Sequence, residues 1–132
     1  METLGEQIMD LQGKITTIRV LEETVIEPQS EAQGTLTGVP VNVLLTARTE
    51  IRPDGVMHSR GKWIITGPTG EKASMHGMSV GSWEPDGSLR FRGSGIISSS
   101  TPRLSKLNGT AIVFEIDGDP DRHYTMKGWE WK

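Results

Sequence analysis

The sequence predicts an all-β fold, an eight-stranded antiparallel up-and-down barrel with a short N-terminal helix. Three observations carry that expectation. Seven prolines stand at nearly even intervals (Pro28, Pro40, Pro53, Pro68, Pro85, Pro102 and Pro120), most of them beside glycine or aspartate, as in Arg52-Pro53-Asp54-Gly55 and Glu84-Pro85-Asp86-Gly87. Proline presets φ for a tight turn and glycine supplies the positive φ that such turns often need. Between these marks lie stretches rich in Ile, Val, Thr, Trp and Phe, the rhythm of a meander. Glycines also alternate within single strands, Gly77 with Gly81 and Gly93 with Gly95. Such strand glycines mark tight coiling or close backbone approach, the curvature of a small closed barrel.

In chain order, residues 2–12 place Leu4, Ile8 and Leu11 on one helical face, with Glu2, Glu6 and Asp10 elsewhere. This predicts an amphipathic helix over 1–12 that plugs a barrel end or crosses to a second subunit, and Gly13 ends it. One barrel domain then fills 14–131. Its first strand is expected over 14–26, closed by Pro28, and its second over 32–39. Pro40 there removes a ladder donor and predicts a bulge, bend or edge. The third strand, 41–51, is the most apolar. The others are expected over 56–66, 71–83, 88–98, 110–116 and 122–131. A polar connection, 98–108, precedes the turn signal Asn108-Gly109. Eight strands suffice for a barrel either filled by side chains or holding one small ligand.

Bulk properties narrow the function. A chain of 132 residues is one domain. A net charge of −3 argues against a nucleic-acid partner held through phosphates. With no cysteine there is no disulfide, thiolate nucleophile or Cys-based zinc site. The N-terminus lacks the basic start and apolar run of a signal peptide, and no segment approaches the roughly 20 apolar residues of a membrane span. A cytoplasmic protein with no membrane partner is expected.

Alternation assigns the strand faces. Charge on His58, Arg60 and Lys62 turns Met57, Ser59, Gly61 and Trp63 inward. The same rule sends Ala73, Met75, Gly77, Ser79, Gly81 and Trp83 inward, then Leu89, Phe91, Gly93, Gly95 and Ile97, then Ile112, Phe114 and Ile116. The last strand is open: either Tyr124, Met126 and Glu130 face in, or His123, Thr125, Trp129 and Trp131 do. The resulting lumen is apolar, aromatic and sulfur-bearing. Its candidate ligand contacts are Met57, Trp63, Met75, Trp83, Phe91, Phe114, Tyr124 and Met126. These aromatics equally suit a packed core.

No motif names a reaction. His58, His76 and His123 lie on three strands without metal-ligand spacing, so no metal is expected. Asp117-Gly118-Asp119-Pro120-Asp121 alternates acids but lacks the downstream glutamate of a calcium loop and reads as a solvated turn. Arg92-Gly93-Ser94-Gly95 leads into a strand rather than a helix, which excludes a dinucleotide loop. Acid–base work would need a carboxyl, phenol or imidazole held in a dry lumen, and the candidates are Tyr124, Glu130 and His76.

The segments Leu89-Arg90-Phe91-Arg92-Gly93-Ser94-Gly95-Ile96-Ile97, residues 101–109, Thr110–Glu115 and His123-Tyr124-Thr125-Met126-Lys127-Gly128 resemble the allene oxide cyclase-like and dirigent-like barrels. The similarity covers about residues 85–130 and leans toward bacterial members of unknown role rather than the plant enzymes. It implies an eight-stranded barrel with an apolar lumen, often oligomeric, here a homo-oligomer (dimer or trimer). In such barrels the cavity shapes a reactive apolar substrate more than it supplies catalytic groups. No catalytic residue is carried over, and no cofactor is expected.

The leading expectation is therefore a barrel that binds a small hydrophobic molecule and steers its cyclisation or isomerisation. The alternatives are a filled barrel acting as a structural or regulatory oligomer, and a lipocalin- or avidin-like carrier.

Overall fold

The computed structural model describes residues 4–132. Eight antiparallel strands close into one barrel in chain order: β1 (Leu4–Glu22), β2 (Val25–Leu36), β3 (Val39–Ile51), β4 (Met57–Thr66), β5 (Lys72–Trp83), β6 (Leu89–Ser99), β7 (Thr110–Gly118) and β8 (His123–Trp131). A 3-10 helix, Pro102–Leu107, lies between β6 and β7. Each strand pairs with its chain neighbour and β8 pairs with β1, so every backbone edge is answered.

The N-terminal helix expected over 1–12 is not formed. Residues 1–3 lie outside the described residues, and from Leu4 onward the segment is the first half of β1, hydrogen-bonded to both β2 and β8. The physical reason is a pair of register shifts between Leu4, Gln7 and Met9, which turn consecutive residues Ile8 and Met9 inward ahead of Leu11. A bulged strand loses its period of two locally, and the spacing that remains imitates a helical face. Two open sheet edges outweigh the weak local preference.

The first two turns also sit elsewhere than expected. The β1–β2 hairpin turns at Glu23-Thr24, with Glu22 opposite Val25, and Pro28 lies inside β2 opposite Ile18. It tolerates this site because β1 is irregular nearby, shifting register between Ile15 and Thr17. The β2–β3 hairpin turns at Thr37-Gly38, where φ is +49° and +79°. Two positive φ values across a two-residue loop match the twist of the flanking strands. Pro40 follows inside β3, exposed and opposite Thr35.

Inward positions follow alternation closely from β4 to β7; in β4 every second residue from Met57 to Ile65 is buried. The last strand resolves in favour of Tyr124 and Met126, both buried, while Glu130 is exposed near the strand's end. Three inward glycines, Gly61, Gly77 and Gly95, lie directly across from one another on β4, β5 and β6. The six-membered ring of Trp63 lies over the first two: a Cβ on Gly61 would meet Trp63 Cη2 at 2.7 Å, and one on Gly77 would meet Cζ3 at 3.1 Å. The glycines thus make room for the indole inside a narrow barrel.

The two barrel ends differ. At the end holding the β2–β3, β4–β5 and β6–β7 connections, Leu104 and Leu107 of the 3-10 helix are buried in the core with Leu36, Val39, Ile65, Met75, Ile97 and Ile112. Both ends of the helix are latched to neighbouring strands: the hydroxyl of Thr101, just ahead of it, donates to Lys72 O of β5 at 3.2 Å, and Asn108 Oδ1, just after it, accepts from the Ser99 amide of β6 at 3.1 Å. Glu71 is buried beside it. Its carboxylate accepts from the Thr69 amide at 3.1 Å and hydroxyl at 2.7 Å and faces the Arg103 guanidinium at 3.9 Å. The Thr69 hydroxyl bond is the main cause holding this carboxyl below the usual carboxylate range.

Among the described residues no helix is long and apolar enough to cross a membrane. The barrel itself has an apolar interior and exposed charges such as Asp10, Glu31, Arg48, Arg60 and Lys62 outside, the reverse of a membrane-spanning barrel.

Two outcomes are expected. A β-branched residue is strained at φ +49°, so Thr37→Asn should raise stability by about 1 kcal/mol in a urea titration. A carboxyl whose folded pKa is depressed contributes stability above its unfolded pKa and loses it as pH falls through the folded value. Glu71→Gln should therefore unfold at lower urea than the parent at neutral pH, with the gap closing in strong acid; an equal gap at both would exclude an ionised Glu71 as the latch.

Candidate functional site

The lumen is filled unevenly. Toward the 3-10 helix it is solid, whereas the opposite half keeps a half-enclosed cavity of about 70 Å³. The walls combine apolar residues (Ile15, Leu45, Leu89, Ile116) with small ones (Ala47, Gly61, Ser79). Small inward residues on β3, β4 and β5 create the space, because a strand carrying Ala, Gly or Ser on its inner face leaves a barrel of this strand number unfilled there.

Trp63 lines this cavity and packs edge-on against Phe114, with ring centroids 5.5 Å apart and planes at 65°. The geometry suits the quadrupoles of both rings. The Trp63 indole is 4% exposed, yet its Nε1–H has no hydrogen-bond partner among the described residues. A buried donor left unmade costs on the order of 1–3 kcal/mol.

Besides Ser79, the walls carry two hydroxyl pairs. Ser30 of β2 and Tyr124 of β8 share a hydrogen bond of 2.8 Å over the intervening β1, and Thr49 and Ser59 share one of 2.6 Å between β3 and β4. Burial pushes the Tyr124 phenol above its ordinary pKa, against a smaller opposing effect of the Ser30 bond, so it stays protonated at neutral pH. Tyr124 can lie flat across β1 because Gly13 stands directly opposite; a Cβ there would fall 2.4 Å from Tyr124 Cζ. At the rim, the half-exposed Trp83 indole donates to Gly87 O at 3.0 Å, and Phe91 folds over Gly81.

Of the residues expected to touch a ligand, the structure gathers Trp63, Trp83, Phe91 and Tyr124 around the cavity. Met75, Phe114 and Met126 belong to the packed core, and Met57 is buried without lining the cavity. The three acid–base candidates part company. Tyr124 is in the wall, but His76 is exposed on the outer face of β5, and Glu130 is exposed near the end of β8. No carboxylate or imidazole is among the lining residues. His58, His76 and His123 all point outward and do not meet: His58 stands opposite Glu50, His76 opposite Lys62 and His123 opposite Lys14. The acidic run 117–121 ends β7 and enters the β7–β8 turn, where Asp119 Oδ1 accepts from the Asp121 and His123 amides.

Sequence reasoning missed the β2 and β3 walls. Leu45, Ala47 and Thr49 alternate with charged or polar Thr46, Arg48 and Glu50, a period-two signal that could have found them. Ser30 and Pro28 carried no such signal, because their inward direction depends on where the β1–β2 hairpin turns. A larger groove of about 730 Å³ outside β1, β2 and β8 is lined by Gln12, Lys14, Glu31 and Asp117, and lacks the enclosed apolar wall of the lumen.

No protein-family model matches the chain, and no curated protein matches it. Solved structures do. A protein of unknown function from Clostridium acetobutylicum superposes with a TM-score of 0.78 at 11% identity, over 96% of this chain and 98% of that one. A conserved protein of unknown function from Rhodopseudomonas palustris superposes with a TM-score of 0.78 at 12% identity, over 98% of this chain and 99% of that one. The chain therefore shares an eight-stranded barrel fold with bacterial proteins of unknown function along nearly its whole length.

Proposed function

We propose that the chain is a binding barrel whose unfilled half takes a small, largely apolar molecule bearing one hydrogen-bond acceptor. The observation that carries this reading is the Trp63 Nε1–H, buried without a partner among the described residues in the wall of the lumen cavity. Apolar walls with a few placed polar groups are the usual composition of ligand pockets. The size sets a limit. At about 70 Å³ the cavity is under half of the ~150 Å³ that accommodates benzene in an engineered core. The ligand thus seats a carbonyl-sized end beside Trp63 and leaves its remainder between Trp83 and Phe91 at the rim.

Any steering of cyclisation or isomerisation would come from confinement and from neutral hydroxyl donors, since the lining offers no group that titrates near neutrality. His76 and Glu130 are accordingly set aside as catalytic candidates, and Tyr124 is retained as a neutral donor. The competing reading, a filled barrel with a structural or regulatory role, draws on the solid half of the core.

The test is an NMR titration of the indole N–H signals with cyclohexanone and, as a hydrocarbon match, methylcyclohexane. Cyclohexanone should shift one indole N–H saturably, methylcyclohexane much less, and Trp63→Phe should abolish the difference. No saturable shift with either probe would remove the binding reading. Ala47→Leu supplies an independent check, because it fills the cavity. It should abolish cyclohexanone binding while leaving stability equal or raised by about 1 kcal/mol. Retained cyclohexanone binding in that variant would place the site elsewhere.

A further inference from the structure

Outside the lumen, the barrel wall formed by β3 to β6 carries an unusual surface. Six basic side chains project from it, Arg48, Arg60, Lys62, Lys72, Arg90 and Arg92, on a chain whose net charge is −3. Glu50 is the one acid at an outward position of these strands, and Arg52 already answers it at 3.3 Å. Arg92 is engaged by Asp117 at 3.0 Å and Glu115 at 3.8 Å. Arg48 and Arg60, by contrast, stand directly opposite each other on β3 and β4, with Lys62 two residues further along. Among the described residues none of these three lies within 4.0 Å of a carboxylate. Like charges directly opposite across two strands destabilise the sheet. The fold gains nothing from this pair, which points to an anionic partner.

The same wall collects exposed apolar side chains. Leu44, Ile64, Met78, Val80 and Ile96 are five of the nine large apolar residues exposed among the described residues. Leu44 pairs with Ile64 beside the cations, and Met78 pairs with Arg60. A groove of about 520 Å³ runs between Arg48, His58 and Arg60 on one side and Met78, Val80 and Arg92 on the other, with the Glu50–Arg52 ion pair also in its lining.

We propose that this wall docks on an anionic lipid bilayer. Its cations meet headgroup phosphates while Ile64, Met78, Val80 and Ile96 reach the acyl boundary. A surface contact of this kind needs no membrane-spanning segment. Other partners fit less well. A second copy brought to this face by a two-fold axis would set Arg48 and Arg60 against their own equivalents. Nucleic acid bound as a single strand calls for aromatic stacking platforms, and the outward positions of β3 to β6 hold no Phe, Tyr or Trp. The same lack leaves a protein partner without the aromatic anchor common at hot spots.

The experiment is co-sedimentation of the full chain with vesicles of phosphatidylcholine alone and of phosphatidylcholine mixed with phosphatidylglycerol. Binding is expected to the mixed vesicles only and to weaken with added salt. Arg48→Gln and Arg60→Gln should each weaken it roughly fivefold. Ile64→Ser with Met78→Ser should weaken it without changing the salt dependence. Arg60→Glu places opposite charge across from Arg48. It should abolish vesicle binding while raising the thermal midpoint, a pairing of effects that misfolding cannot produce. Equal binding to neutral vesicles, no binding to either, or Arg variants that bind normally would each overturn the proposal. So would a salt-sensitive dimer in sedimentation velocity that Arg60→Glu dissociates, since the face would then belong to a second copy.

Discussion

The hydrogen bonds between β1 and β8 are the constraint on which the rest of this molecule depends. A meander of eight strands leaves two long rows of unpaired amides and carbonyls, and such edges are both costly and prone to pair with other chains. Here Met9 to Lys14 meet Gly128 to His123 and join those rows. Where β1 meets β8 its register shifts on either side of Gln7, and where it meets β2 it shifts again between Ile15 and Thr17 and between Val20 and Glu22, irregularities that bend the nineteen-residue strand around the barrel. Only because the sheet is closed does one face of every strand look into a shared interior.

Closure also fixes how much interior there is, and the glycine row decides how it is used. Gly61, Gly77 and Gly95 subtract three side chains at one level of the barrel, and Trp63 with Phe114 fills most of what they vacate. Above that level, toward the 3-10 helix, branched and sulfur-bearing side chains pack solidly. Below it, Ala47, Ser59 and Ser79 are too small to finish the job. The cavity is thus a consequence of residue volumes on three adjacent strands, with Trp63 as its floor. Its polar groups are neutral and mostly paired with each other, which suits recognition better than proton transfer.

Inside and outside make opposite demands on the same strands. On β4, Ser59, Gly61 and Trp63 shape the lumen, while His58, Arg60 and Lys62, alternating with them, build the cationic wall. A change on one face need not disturb the other, because successive side chains leave the sheet in opposite directions. An apolar lumen and a cationic outer wall can therefore coexist on a chain of 132 residues. The fold match to bacterial proteins at 11–12% identity speaks to the barrel alone and leaves both surfaces to be judged on their own chemistry.

The all-β class, the strand number and the inward faces of β4 to β7 were legible in the sequence, because turns with Pro and Gly and strict alternation are local properties. Pro53, Pro68, Pro85 and Pro120 each fell in a turn as their neighbours demanded, and Trp63 faced inward as alternation along β4 required. What failed was non-local. The segment from Leu4 to Gln12 reads as a weak helix in isolation and becomes a strand because two distant edges require a partner. Pro28 marks no turn, since a bulge in the facing strand absorbs it. The unpartnered Trp63 N–H, the Ser30–Tyr124 bond across 94 positions and the placement of Arg48 opposite Arg60 exist only once the register is set. The sequence by itself determined the period and the punctuation of this chain. The tertiary structure decided closure, cavity and charge placement, because each depends on residues far apart in sequence being held within a few ångströms.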